Sequence, residues 1–175
     1  SINALETNIL TFCSDYNDCF TKEDRTFLWR SLEVPDKFSY FYITAKVHKT
    51  PWKPRLITST AGSITHELGR WVDQELKPIV RKLPSYIKSS EHLLTCLKNT
   101  NFDPSNVSFF SDTSHTLEVL QPFLSTSPLC DGCPANTIIT TLDILMRQNV
   151  FKLGDTYWKQ NSGTAMGTPP GAKYV

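Results

Sequence analysis

The segment FSYFYITAKVHKTPWKPRLITST, at residues 38–60, contains two runs that are typical of β-strands. The first run, FSYFYITAKV, alternates and is rich in aromatic and β-branched residues, which predicts a strand. The second run, RLITST, predicts its partner strand. Between them, HKTPWKP contains lysines and two prolines, and the prolines disfavour regular structure. The segment therefore predicts a basic β-hairpin.

The sequence on both sides of this hairpin predicts helices. Thr21 precedes KEDRTFLWRSL, whose acidic residues crowd the first turn, so Thr21 is the predicted N-cap of a helix that stops before Pro35. Residues 64–83 have apolar side chains at helical spacing, with a kink or break predicted at Pro78. Three further helices are predicted at EHLLTCLKN, SHTLEVLQPFL and ANTIITTLDILMRQNV.

Two more segments predict strands. NVSFFSD, at residues 106–112, predicts a buried strand that ends at Asp112. VFKLGDTYWKQ predicts a second hairpin that turns at Gly154 and Asp155. Strands and helices are mixed without a regular βαβ rhythm, so the predicted fold class is α+β.

Charge is distributed unevenly along the chain, although the net charge is only +1. Lys and Arg number 10 against 3 Asp and Glu in residues 37–90, compared with 3 against 7 in residues 1–36 and 5 against 7 in residues 91–175. Such a basic segment indicates a binding surface for a polyanion, and aromatic side chains lie among the basic residues, where nucleic-acid bases can stack on them. The alternative is a solvated cationic face with core aromatic residues. The interleaved aromatic residues are Tyr40, Phe41, Tyr42, Trp52 and Trp71.

Other protein classes receive little support from the composition. No stretch approaches the roughly twenty apolar residues that a membrane span needs, and the N-terminus lacks the pattern of a secretory signal. The expected location is therefore intracellular, in the nucleus or the cytoplasm, without a membrane partner. The cysteines number five, an odd count, and only Cys130 and Cys133 are close together, which argues against a disulfide framework. The single CDGC pair cannot complete a tetrahedral zinc site by itself.

Two segments together resemble reverse transcriptases of the Penelope-like kind from retroelements. FYITAKVHKTPWKPRLITS resembles their fingers motif, and SGTAMGTPPGAKY resembles their palm loop. The two occur in the family's order, and the resemblance covers about residues 38–175, after an N-terminal helical segment at residues 1–37. It implies an incomplete right-hand polymerase with fingers and the first part of the palm, a basic β-hairpin, surrounding helices and a small antiparallel sheet.

The resemblance implies RNA-directed DNA polymerase chemistry with magnesium as the cofactor. Two magnesium ions hold the in-line displacement, and they need carboxylates at the ends of neighbouring strands. Asp112 matches the aspartate that ends the palm strand, or it caps the following helix instead. The family's other carboxylates come from a Y-x-D-D-like hairpin after the palm loop, and this sequence has none. The expectation is therefore a truncated chain that neither polymerises nor binds magnesium productively.

The resemblance also implies contacts with an RNA or DNA primer–template and with the incoming triphosphate. Arg55 is the leading candidate, because a planar guanidinium can hold a phosphate through two hydrogen bonds. The other implied binding residues are Lys46, Lys49 and Lys53 of the hairpin and Gly163, Thr164, Ala165, Met166 and Gly167 of the loop, where glycine permits close approach.

Two further expectations concern the use of such a chain. The alternative to a polymerase fragment is a domesticated nucleic-acid-binding or scaffolding domain that has kept the basic face and lost catalysis. Self-association is also expected. Without the catalytic hairpin as a neighbour, the strand at NVSFF would be an open sheet edge, and open edges recruit other chains.

Overall fold

The helices and strands of this chain confirm the α+β class. The computed structural model describes residues 2–34, 37–84, 86–98, 113–126, 134–161 and 167–169. In those residues the helices are α1 (Ile2–Asp15), α2 (Lys22–Leu32), α3 (Ile64–Lys82), α4 (Ser90–Lys98), α5 (Thr113–Thr126) and α6 (Ala135–Arg147). The strands are β1 (Ser39–Lys46), β2 (Lys53–Ser59), β3 (Val150–Leu153) and β4 (Thr156–Lys159). The predicted strand at residues 106–112 lies outside the described residues.

The start of α2 is fixed by a capping box. The Asp24 backbone N–H donates to Thr21 Oγ1 at 3.1 Å, and the Thr21 backbone N–H donates to Asp24 Oδ2 at 3.0 Å. Two backbone donors that the helix itself leaves unpaired are thereby satisfied. The predicted cap at Thr21 is confirmed, and the helix ends at Leu32, before Pro35.

Helix α3 runs through Pro78 without interruption, so the break predicted there is wrong. Proline lacks the N–H that would bond to the carbonyl of Gln74. Both residues are exposed, so water can satisfy that carbonyl. Leu76 and Ile79, on either side of the proline, are buried in the core and hold the helix in place.

The hydrophobic core is built by the helices and by Phe20, which lies between α1 and α2. Trp71 of α3 is at its centre, with its ring centroid 5.1 Å from that of Phe20 and 6.5 Å from that of Phe12. Burial of such large side chains is the main stabilising contribution. None of the four strands supplies a residue to this cluster, which contains Leu5, Ile9, Phe12, Phe20, Leu28, Ile64, Leu68, Trp71, Val72, Leu76, Ile79, Leu117, Leu124, Ile138, Leu142, Ile144, Leu145 and Met146.

The strands form one sheet in the order β2–β1–β3–β4. Each hairpin is antiparallel, as predicted, but β1 and β3 run parallel, with Ser39 opposite Phe151 and Tyr40 opposite Lys152. The prediction of an antiparallel sheet is therefore wrong, and the sheet is mixed. More than a hundred residues, including four helices, separate β1 from β3, and a long connection allows the parallel direction that a tight turn forbids.

In the described part of the chain, no helix combines the length and the apolar composition that a membrane span requires.

Glu75 of α3 gives the first testable prediction. Its burial and the nearby charge of Asp24 raise the pKa of its carboxyl, so ionising Glu75 costs more free energy in the folded protein than in the unfolded chain. We expect Glu75→Gln to increase the free energy of unfolding at neutral pH by up to about 1 kcal/mol. The gain should vanish as the pH falls through the raised pKa to below the ordinary value of about 4.3.

Thermal unfolding at neutral and acidic pH measures this difference. Glu118→Gln, an exposed substitution on α5, is the matched control and should change little at either pH. A gain for Glu75→Gln that persists at acidic pH would contradict the proposed cause.

Candidate nucleic-acid interface

The pairing of β1 with β2 places the predicted basic residues on one side of the hairpin. Lys46 lies opposite Lys53, and Thr44 lies opposite Arg55. Opposed residues in a ladder share a face, and alternate residues along a strand share it too. Lys46, Lys53 and Arg55 therefore lie on the same face of the sheet. Lys49 lies in the turn, where its backbone N–H donates to the Lys46 carbonyl at 3.1 Å.

The same face continues across β3 and β4. Tyr40 lies opposite Lys152, Lys152 lies opposite Tyr157, and Val150 lies opposite Lys159. Apart from small and aliphatic residues, the strand residues on this face are cations and tyrosines, and none of the four described strands contains Asp or Glu. We call it the basic face: Tyr40, Tyr42, Lys46, Lys53, Arg55, Lys152, Tyr157 and Lys159.

The tyrosine residues on the basic face are about half exposed to solvent. Tyr40, Tyr42 and Tyr157 are 45%, 48% and 56% exposed. Phe38 packs against the ring of Tyr157 at an interplanar angle of 40°, with ring centroids 4.5 Å apart, and the Lys152 ammonium lies over the Tyr157 ring, 6.0 Å from its centroid. Exposed aromatic surface beside cations is the combination that binds nucleic-acid strands.

The aromatic residues that the sequence predicts to stack on bases do not all lie on the basic face. Phe41 is on the other face, where its ring stacks on Phe151 with centroids 5.1 Å apart. Trp71 is in the helical core and is therefore excluded from any interface. Trp52 is exposed in the turn of the hairpin. Of the predicted set, only Tyr40 and Tyr42 lie on the basic face.

Lys152, Tyr157 and Lys159 were missed by the sequence reasoning, which treated their segment as a short hairpin alone. A partial signal was present, because Tyr157 and Lys159 are two positions apart in TYWK and VFKL contains Lys152. The pattern does not reveal that these residues share a face with Arg55. Only the pairing of β3 with β1 establishes that.

The segment that resembles a palm loop touches the base of the hairpin through Gly167. A Cβ atom on Gly167 would lie 2.6 Å from the Thr58 carbonyl oxygen, so only glycine fits. The hydroxyl of the buried residue Thr60 donates a hydrogen bond to the Gly167 carbonyl at 3.4 Å. The two residues are 107 positions apart in the sequence. The other predicted loop residues, Gly163, Thr164, Ala165 and Met166, lie outside the described residues.

The described residues do not include the magnesium site that the resemblance implies. They contain no group of three or more His, Cys, Asp or Glu side chains that could hold a metal ion. Asp112, the predicted metal ligand, lies outside the described residues, as do Cys130 and Cys133. No metal-dependent step is therefore derived from this geometry.

The chain matches no protein-family model, no curated protein and no solved structure. Its function must therefore be argued from the side chains themselves.

Proposed function

We propose that this chain is a reverse-transcriptase-like fragment, with fingers and the first part of the palm, whose activity is nucleic-acid binding by the basic face. One observation carries the proposal. Lys46, Lys53 and Arg55 are brought to one face of a hairpin that has no carboxylate in either strand. Without a nearby Asp or Glu partner in these strands, the cations are available to phosphates.

The chemistry of the three residues suits a phosphate backbone. The planar guanidinium of Arg55 can donate two parallel hydrogen bonds to one phosphate. A lysine ammonium is a point charge that tolerates different approaches, which suits a backbone bound without sequence preference. Lys53 and Arg55 are exposed, so their heads can reach such a ligand.

The contact between Thr60 and Gly167 supports the family assignment. The two segments that carry the resemblance are distant in sequence, and this contact joins them at the base of β2. A polymerase-like arrangement requires the hairpin and the palm loop to approach the same bound strand. The close approach of Gly167 to β2 is consistent with that requirement.

Salt dependence of binding tests the proposal. We expect the purified chain to bind a labelled oligonucleotide with a slope of log K against log salt concentration of roughly −3 to −5, because about four to six phosphates release their counterions. Fluorescence anisotropy over a range of salt concentrations gives the slope. A flat salt response, or no binding at low salt, would overturn the proposal.

A further inference from the structure

We propose that the basic face binds single-stranded nucleic acid in preference to duplex, and that Tyr42, Tyr40 and Tyr157 each stack on one unpaired base. This inference rests on the proposed function and specifies its ligand. The three rings lie on one face and extend from β1 to β4. Phenol rings stack on any base, so the same face serves RNA and DNA.

The spacing of Tyr40 and Tyr42 excludes stacking of both rings on the paired bases of a duplex. They are two positions apart on one strand, which separates their backbone positions by about 6.6 Å. Successive bases in a duplex strand are only about 3.4 Å apart and are stacked on each other, so they offer no free faces to two separate rings. Bases that reach both tyrosines must be unpaired and spread apart.

Tyr157 extends the row beyond β1. Because β3 lies between β1 and β4, Tyr157 is two strand spacings from Tyr40, or about 9.6 Å. Lys152 occupies the position between them and faces both. The Lys152 ammonium lies over the Tyr157 ring, 6.0 Å from its centroid. A phosphate that links the two stacked nucleotides would attract this ammonium away from the ring and leave the ring to the base.

Cations flank the row of tyrosines at both ends. Lys46, Lys53 and Arg55 lie towards the turn of the first hairpin, and Lys159 lies on the outer strand β4. A single strand that crosses the sheet would meet a cation before, between and after the stacking positions. An acidic peptide could form ion pairs with the cations but has no bases to stack on the tyrosines. Its affinity can therefore be compared with that of a single strand.

Four labelled probes separate these ligands: an unstructured RNA and a DNA strand of about twelve nucleotides, a duplex of the same length, and an abasic DNA strand with the same phosphates. We expect both single strands to bind at least about tenfold more tightly than the duplex and the abasic strand, because each stacked base adds affinity. Polyglutamate should bind no better than the abasic strand.

Substitutions then locate the stacking. Tyr42→Leu and Tyr157→Leu should each weaken single-strand binding about fivefold and leave duplex and abasic binding unchanged. Trp158→Leu is the matched control, because Trp158 is an exposed aromatic residue beside Tyr157 that lies on the opposite face of β4. It should leave single-strand binding unchanged.

Each alternative outcome has a defined meaning. Salt-dependent binding that is equal for normal and abasic strands, or unaffected by both tyrosine substitutions, would overturn the stacking row and leave the proposed function standing. Failure to bind any polynucleotide would overturn both. If a tyrosine variant does not fold, the comparison of normal with abasic strands on the unmodified protein decides the question.

Discussion

Replacing Lys46, Lys49, Lys53 and Arg55 together by glutamate is expected to weaken nucleic-acid binding at least about a hundredfold at physiological salt. The substitutions remove the hairpin's phosphate contacts and add repulsion at the same place. The salt dependence should also become shallow, because fewer counterions are released when the remaining complex forms. Anisotropy titrations of the variant and the unmodified chain measure both effects.

The matched control reverses the same number of charges elsewhere. Arg81, Lys82, Lys88 and Lys98 are exposed cations on and around α3 and α4. Reversing them lowers the net charge by the same amount as the hairpin variant. At physiological salt distant charges are screened within about 8 Å, so the loss of binding affinity should stay below about tenfold. Equal losses in the two variants would show that binding follows net charge and not the hairpin.

Gly167→Ala is expected to lower the free energy of unfolding by about 2–4 kcal/mol. Two unfavourable contributions to the free energy of folding add at this position, one from the backbone conformation and one from a steric contact. The φ of Gly167 is +116°, which L side chains rarely adopt, and the new Cβ would lie 2.6 Å from the Thr58 carbonyl oxygen. Backbone atoms on β2 cannot yield as a flexible side chain could, so the segment must move away from the sheet. Urea unfolding measures the loss.

Gly62→Ala is the control that measures the backbone contribution without the steric contact. Gly62 also has a positive φ, of +75°, but nothing lies within 4 Å of its added Cβ. Its substitution should cost only the backbone term, about 1 kcal/mol. If Gly167→Ala costs no more than Gly62→Ala, the close contact with Thr58 does not contribute to stability.

Elements governed by neighbouring residues were predictable from the sequence. The cap at Thr21, the first hairpin and the turn at Gly154 are each specified within a few positions. Caps and tight turns depend on side-chain oxygens and backbone dihedral angles of adjacent residues, so a local pattern contains the necessary information.

Features that depend on distant residues were not predictable. Of the kink or break predicted at Pro78, the break does not occur, because the buried residues around the proline hold α3 continuous, and that burial is set by other helices. The parallel pairing of β1 with β3 involves only two residue pairs and has no local signature. Helix α1 offers neither an acidic first turn nor a basic last turn as a signal, although a helical segment was expected at residues 1–37.

In the candidate site, too, some residues could be predicted from local sequence and others only from the fold. The hairpin cations could be selected from sequence, because charge clustering and the resemblance coincide there. Choosing among the aromatic residues required the fold, since Tyr42 and Phe41 are adjacent in sequence and face opposite ways. Tyr157 could be added only after the order of the strands was known.

The separation of the sheet from the helical core has a consequence for how such a protein can evolve. Most substitutions lower stability, and selection removes those that fall below the level needed for folding. Residues on the basic face are outside the core cluster, so exchanging them does not require the helices to repack. Ligand preference can therefore drift or be selected with little effect on folding, a freedom that a site built into the core would lack.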